Sequence, residues 1–124
     1  MKKSIMKKKY SLKRNEEIAK IVQNKQAIRN GSYIVFYKKN NLDYSRICIS
    51  VSKKLGIAVV RNKIKRQVRE MVTDIFDFEK NIDYVIVVKR NYLTYEFQNN
   101  KERLKDLYMK LNPNKERIIN EEKI

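Results

Sequence analysis

Ser52-Lys53-Lys54-Leu55-Gly56-Ile57-Ala58-Val59-Val60-Arg61-Asn62-Lys63-Ile64-Lys65-Arg66-Gln67-Val68-Arg69 is the stretch on which the reading of this chain turns. Just before it, Tyr44 to Ser52 alternates Ile47, Ile49 and Val51 against Arg46, Cys48 and Ser50, the two-residue period of a strand. The alternation breaks over Lys53 to Ala58, and from Val60 the apolar side chains Ile64, Val68, Met71, Val72 and Ile75 recur at helical spacing. The spacing predicts strand, turn and helix in succession, with the helix from about Ala58 to Phe76. Beside its apolar stripe, Arg61, Lys65, Arg69, Asn62 and Arg66 fall within about 140° of arc, while Lys63 points away. Arg61, Lys65 and Arg69 stand at i, i+4 and i+8 with no acid among them, and like charges so placed disfavour an isolated helix by about 0.2–0.5 kcal/mol per pair. A polyphosphate partner offsets that repulsion, which a solvated face of mixed sign never meets.

Working outward, Asn15 followed by Glu16 and Glu17 reads as a helix cap with acids in the first turn, and Ile18, Ile21 and Val22 continue a short helix to about Asn24. Asn30-Gly31 marks a turn, and Ser32 to Lys39 reads as a strand with Tyr33, Val35 and Tyr37 on one face and Ile34 and Phe36 on the other. A polar loop, Asn40-Asn41-Leu42-Asp43, joins it to the Tyr44–Ser52 strand, and the pair is expected to be an antiparallel hairpin. Downstream, Tyr84-Val85-Ile86-Val87-Val88 has the continuous apolar run of a more buried strand. Thr94 is the expected cap of a last helix with Phe97, Leu104, Leu107, Tyr108 and Leu111 on one stripe, stopped by Pro113. The order is α-β-β-α-β-α, and the fold class is α+β: one small domain with a small central sheet packed with helices. Residues 1–9 are expected to be a basic N-terminal arm, 10–112 the domain, and 113–124 a charged tail.

Composition narrows the chemistry. The chain has 124 residues, 30 Lys+Arg against 14 Asp+Glu, a formal net charge of +16, no His and one Cys. Residues 1–14 hold seven cations and no acid, residues 44–69 hold eight and no acid, and everything else is nearly neutral. Such segregation is what a polyphosphate-facing surface needs. Without His, and with Cys48 alone in an apolar run, disulfide scaffolds, zinc fingers and Ser-His-Asp or Cys-His catalysis are excluded. Cys48 reads as a small core residue in a reducing compartment. No apolar run approaches the roughly 18 residues of a membrane span, and the N-terminus lacks the apolar segment of a secretion signal, so the expectation is a cytoplasmic protein without membrane contact.

The composite Ser52-Lys53-Lys54-Leu55-Gly56 followed by Ala58-Val59-Val60-Arg61-Asn62-Lys63-Ile64-Lys65-Arg66-Gln67-Val68-Arg69-Glu70 strongly resembles the signature of the protein subunit of bacterial ribonuclease P. The likeness extends to Leu12-Lys13-Arg14-Asn15-Glu16, the Phe36 strand, the Tyr84–Lys89 strand and the last helix. It implies a subunit that binds a large catalytic RNA, the ribonuclease P RNA, and helps it remove the 5′ leader of precursor tRNA, one monomeric protein to each RNA. Hydrolysis then belongs to the RNA with Mg²⁺, and no catalytic or metal-binding residue is expected in this chain. The resemblance assigns RNA contact to Lys53, Lys54, Arg61, Asn62, Lys63, Lys65, Arg66 and Arg69. It assigns a leader cleft, between the first helix and the sheet, to Ile18, Val22, Phe36, Val88 and Lys89. It also implies a left-handed β-α-β crossover, against the usual hand.

Two positions depart from the family pattern. Lys63 replaces an Arg that is common there, keeping charge but losing the planar fork. Ile18 and Val22 stand where the family often has Phe; they read equally as core contacts, which leaves leader grip to Phe36 and charge. Two other classes compete. Small size and high basicity also suit a ribosomal or ribosome-assembly protein. A stand-alone nuclease would need carboxylates, and Asp74, Asp77, Glu79 and Asp83 are the cluster available, though a polar helix end and loop explain them more simply.

Overall fold

The structure, a computed structural model, describes residues 7–111. Three helices, α1 (Asn15–Gln23), α2 (Ala58–Ile75) and α3 (Phe97–Leu111), pack on a four-stranded sheet of β1 (Ala27–Arg29), β2 (Tyr33–Lys39), β3 (Arg46–Val51) and β4 (Ile82–Val88). The α+β class holds. The short β1 adds a strand that the two-residue alternation is too brief to announce; it pairs antiparallel with β2, Ile28 opposite Val35.

The strand order is β1-β2-β4-β3, so β2 and β3 are not the hairpin that their short connection suggests. They run in opposite directions, as expected, but β4 lies between them, antiparallel to β2 and parallel to β3. The reason is burial. The β4 run Asp83–Ile86 is buried throughout, and a strand apolar on both faces belongs at the centre of a sheet covered on both sides. The connection β3-α2-β4 is therefore the parallel crossover unit.

One face of the sheet carries α2 and α3. Tyr33, Val35, Ile47, Tyr84, Ile86 and Val88 meet Ile64, Val68, Met71, Val72, Leu104, Leu107 and Tyr108 there in one buried cluster. Asn100, fully buried at the start of α3, is completely bonded: Ser32 Oγ donates to its Oδ1 at 2.9 Å, and its Nδ2 donates to the carbonyls of Tyr92 and Tyr95. The other face carries α1 and the Leu12 segment, and Ile21 of α1 joins Leu12 and Val85 in a small cluster flanked by Ile18, Phe36, Cys48 and Val87.

Two expected caps are displaced. Asn15 is the first helical residue of α1, and Arg14 precedes it with no side-chain cap. Thr94 ends a 3₁₀ turn, Arg90–Thr94, and α3 opens instead with Asn100 N–H donating to Glu96 C=O. Pro113, the start of the arm and the tail from 113 to 124 lie outside the described residues. Of the expected arm, Lys8–Tyr10 form a 3₁₀ turn whose Tyr10 ring stacks on Phe78 at 4.4 Å.

Candidate nucleic-acid interface

The turn into α2 is built by short-range bonds. Ser52 Oγ accepts from the Lys54 N–H at 3.0 Å and holds Lys53–Leu55 in a 3₁₀ turn. Gly56 follows at φ 142, in the region that favours glycine, and a Cβ there would sit 3.1 Å from Val60 Cβ. This bend sends Leu55 into the core and leaves Lys53 and Lys54 exposed. Arg61 Nε donates to Gly56 C=O at 3.0 Å, so part of that guanidinium braces the turn.

Along α2, Ile64, Val68, Met71 and Val72 are buried, and this inward stripe turns the cations out. Asn62, Lys63, Arg66 and Arg69 are exposed, with Arg61 and Lys65 half-buried. Lys65 and Arg69 lie beside the outer edge of β3, where Ser11 bridges to Ile47, and with Ser11, Leu12, Ile47, Cys48 and Ile49 they line a cleft of about 130 Å³. Burial pushes the Cys48 thiol up and nearby Lys65 draws it back, consistent with a half-buried, protonated side chain. Among the described residues the ion pairs join Arg46 to Glu17 and Asp83, and Lys101 to Asp74. The cations from Lys53 to Arg69 have no carboxylate partner among those residues.

Arg46, the eighth cation of the acid-free stretch, is engaged elsewhere. Its Nε and Nη2 grip buried Asp83 at 3.0 and 2.7 Å, and its Nη1 reaches Glu17 of α1 at 3.1 Å. This clamp fixes one end of α1 to the sheet. Asp83 is thus a structural anion, and no group of three His, Cys, Asp or Glu able to hold a metal ion occurs among the described residues.

On the α1 face the register sets the rows. Phe36 lies opposite Val85, itself opposite Cys48, and the next row is Arg29, Ile34, Val87 and Ser50. Ile18 and Phe36 are half-buried against the small cluster, while Val22 is exposed. Lys89 continues this face at the end of β4 and donates through Nζ to Asn30 C=O at 3.0 Å. Val88 does not belong to it. Its side chain is 2% exposed in the core under α2 and α3, because successive strand residues point to opposite faces. Val87 is the residue that shares the face of Phe36 and Lys89. Arg29, Ile34, Val87 and Ser50 share this face without having been named from the sequence, although the parity of Lys89 already pointed to Val87.

A small α+β domain presenting a turn and helix whose residues from Lys53 to Arg69 carry cations and no acid has the surface of an RNA-binding protein. The family model described as Ribonuclease P matches residues 6–112. The ribonuclease P protein component of Mesoplasma florum is 38% identical over 107 residues, covering 85% of this chain and 97% of its own; that of Mycoplasma mobile is 34% identical over 113 residues, covering 91% and 99%. The solved RNase P protein of Staphylococcus aureus superposes with a TM-score of 0.77 at 28% identity, covering 83% of this chain and 95% of its own. That of Thermotoga maritima gives 0.69 at 29% identity, covering 78% and 93%. The chain belongs to the ribonuclease P protein family. It is a subunit of an endoribonuclease ribonucleoprotein with an RNA partner, and its role lies in tRNA 5′ processing.

Proposed function

We propose that the two sides of the molecule divide the RNA between them. The turn and helix cations Lys53, Lys54, Arg61, Lys63, Lys65, Arg66 and Arg69, with Asn62, hold phosphates of the ribonuclease P RNA. The α1 face takes the single-stranded 5′ leader of precursor tRNA, over Ile34, Phe36 and Val87, with Ile18 and Val22 as its helix wall and Arg29 and Lys89 at its end. Positioning of this kind raises the effective concentration of substrate at the catalytic RNA without contributing a reacting group. Mg²⁺ acts with the RNA. One protein monomer serves each RNA, in the cytoplasm.

The observation that carries this reading is the row of cations from Lys53 to Arg69 without a carboxylate partner among the described residues, on a helix whose other face is fully committed to the core. Reconstitution tests it. The full chain, a bacterial ribonuclease P RNA and a precursor tRNA are mixed at low Mg²⁺, and leader release is timed. Release well above the rate of RNA alone is expected; equal rates would refute it. Co-sedimentation with ribosomal subunits in high salt, together with no effect on leader release, would favour a ribosomal role.

A further inference from the structure

The cationic end of α2 also carries the most exposed apolar side chains of the described residues. Ile57 is 71% and Val59 74% exposed, whereas Ile64, Val68, Met71 and Val72 of the same helix are at most 3% exposed. Neither is there by slack geometry. The Gly56 bend turns the chain outward immediately before Ile57, the Arg61 N–H donates to Ile57 C=O, and Arg61 Nε holds the preceding carbonyl. On the helix, Val59 has Asn62, Lys63 and Arg66 at i+3, i+4 and i+7, so it stands among polar and cationic neighbours, away from the inward stripe. Single exposed aliphatics are ordinary on protein surfaces. Two, set side by side within a cationic stretch that has no acid from Lys53 to Arg69, are matched to a partner that is both polyanionic and locally apolar.

Duplex RNA offers phosphates and riboses outward and keeps its base faces stacked. An unpaired nucleotide exposes a base face beside its own phosphates. We propose that Ile57 and Val59 form an apolar contact for an unstacked base, so that this end of α2 selects a bulged or unpaired nucleotide in the RNA held by the flanking cations. The inference rests on the proposed placement of RNA along α2 and adds which RNA feature is chosen there.

The test compares the full chain with the double variant Ile57→Ala plus Val59→Ala. The probes are a hairpin RNA with one bulged nucleotide and a fully paired hairpin of equal length, titrated across a salt series. The wild-type chain is expected to prefer the bulged hairpin. The double variant should lose affinity for it by about tenfold, the scale set by removing two exposed aliphatic contacts, and bind both hairpins alike. Its slope of log affinity against log salt should stay unchanged because no phosphate contact is removed. Thermal melting without RNA should match the wild type or rise slightly, since Ala is the better helix former. Equal bulge preference in a folded variant overturns the proposal, and so does a wild-type chain that self-associates through these residues while the variant keeps its RNA affinity. Lys65→Ala separates the two levels. It should lower the salt slope by about 0.7–0.9; an unchanged slope there would remove RNA from α2 altogether, whereas a lowered slope with a silent double variant would defeat only the base contact.

Discussion

The two faces of the sheet have unequal work. The face under α2 and α3 is closed by a single large apolar cluster and by a fully bonded buried Asn100, and it positions the cationic helix from behind. The face under α1 has a three-residue buried cluster and leaves Ile34, Val87 and Ser50 reachable. One side supplies stability and presents charge. The other trades packing for an open surface, which is what a transient single-stranded ligand needs.

Consecutive residues of β4 give the sharpest way to break that contrast. Ile86 is fully buried toward α2, and Ile86→Ala should cost about 2–5 kcal/mol by denaturant unfolding. Val87, half-buried on the open face, should cost about 1 kcal/mol or less on Val87→Ala while weakening leader binding. Equal destabilisation by both would mean the α1 face is as closed as its opposite.

The clamp that holds α1 to its face comes next. Arg46→Ala leaves Asp83 buried with only Asn40 donating to its carboxylate, an expected loss of about 3 kcal/mol. Asp83→Asn in the same background should recover part of it. Failure of that rescue would show that the clamp stabilises through packing alone.

A further contrast is a pH dependence that arises on the closed face. Burial raises the phenols of Tyr33, Tyr84, Tyr92 and Tyr108, with Tyr92 pushed up to about 12. A folded-state value above the unfolded 10.0 means the native chain holds the proton more tightly. The associated stability is complete below about pH 10 and declines as pH rises toward 12. Tyrosinate absorbance should therefore appear in two stages, the second coincident with loss of helical circular dichroism. Full ionisation of all eight tyrosines with the helices intact would contradict the burial of this face.

Much of this was legible from residues 44–75. The alternation from Ile47 to Val51, the break at Gly56 and the 3.6-residue stripe from Ile64 to Ile75 mark β3, the turn and α2 to within a residue or two, because each period is a local property of the backbone. The cationic row followed from the same wheel. Pairing was not legible. The Asn40–Asp43 connection has the length of a hairpin loop, yet β4 enters from more than thirty residues away, because its apolar run gains most from the central position. Val88 came from the family resemblance, and its burial under α2 and α3 sets it on the face opposite Lys89, because successive strand residues point to opposite faces.

By itself, then, the sequence determined the elements, the segregation of charge and the absence of His-dependent chemistry, since spacing and composition settle these without reference to distant residues. Tertiary structure alone decided that Arg46 engages Asp83 and Glu17, that Val88 is buried under α2 and α3, and that no described residue covers Ile57 and Val59. Each of those depends on which surface a neighbouring element covers, and that is a contest for burial among segments far apart in the chain.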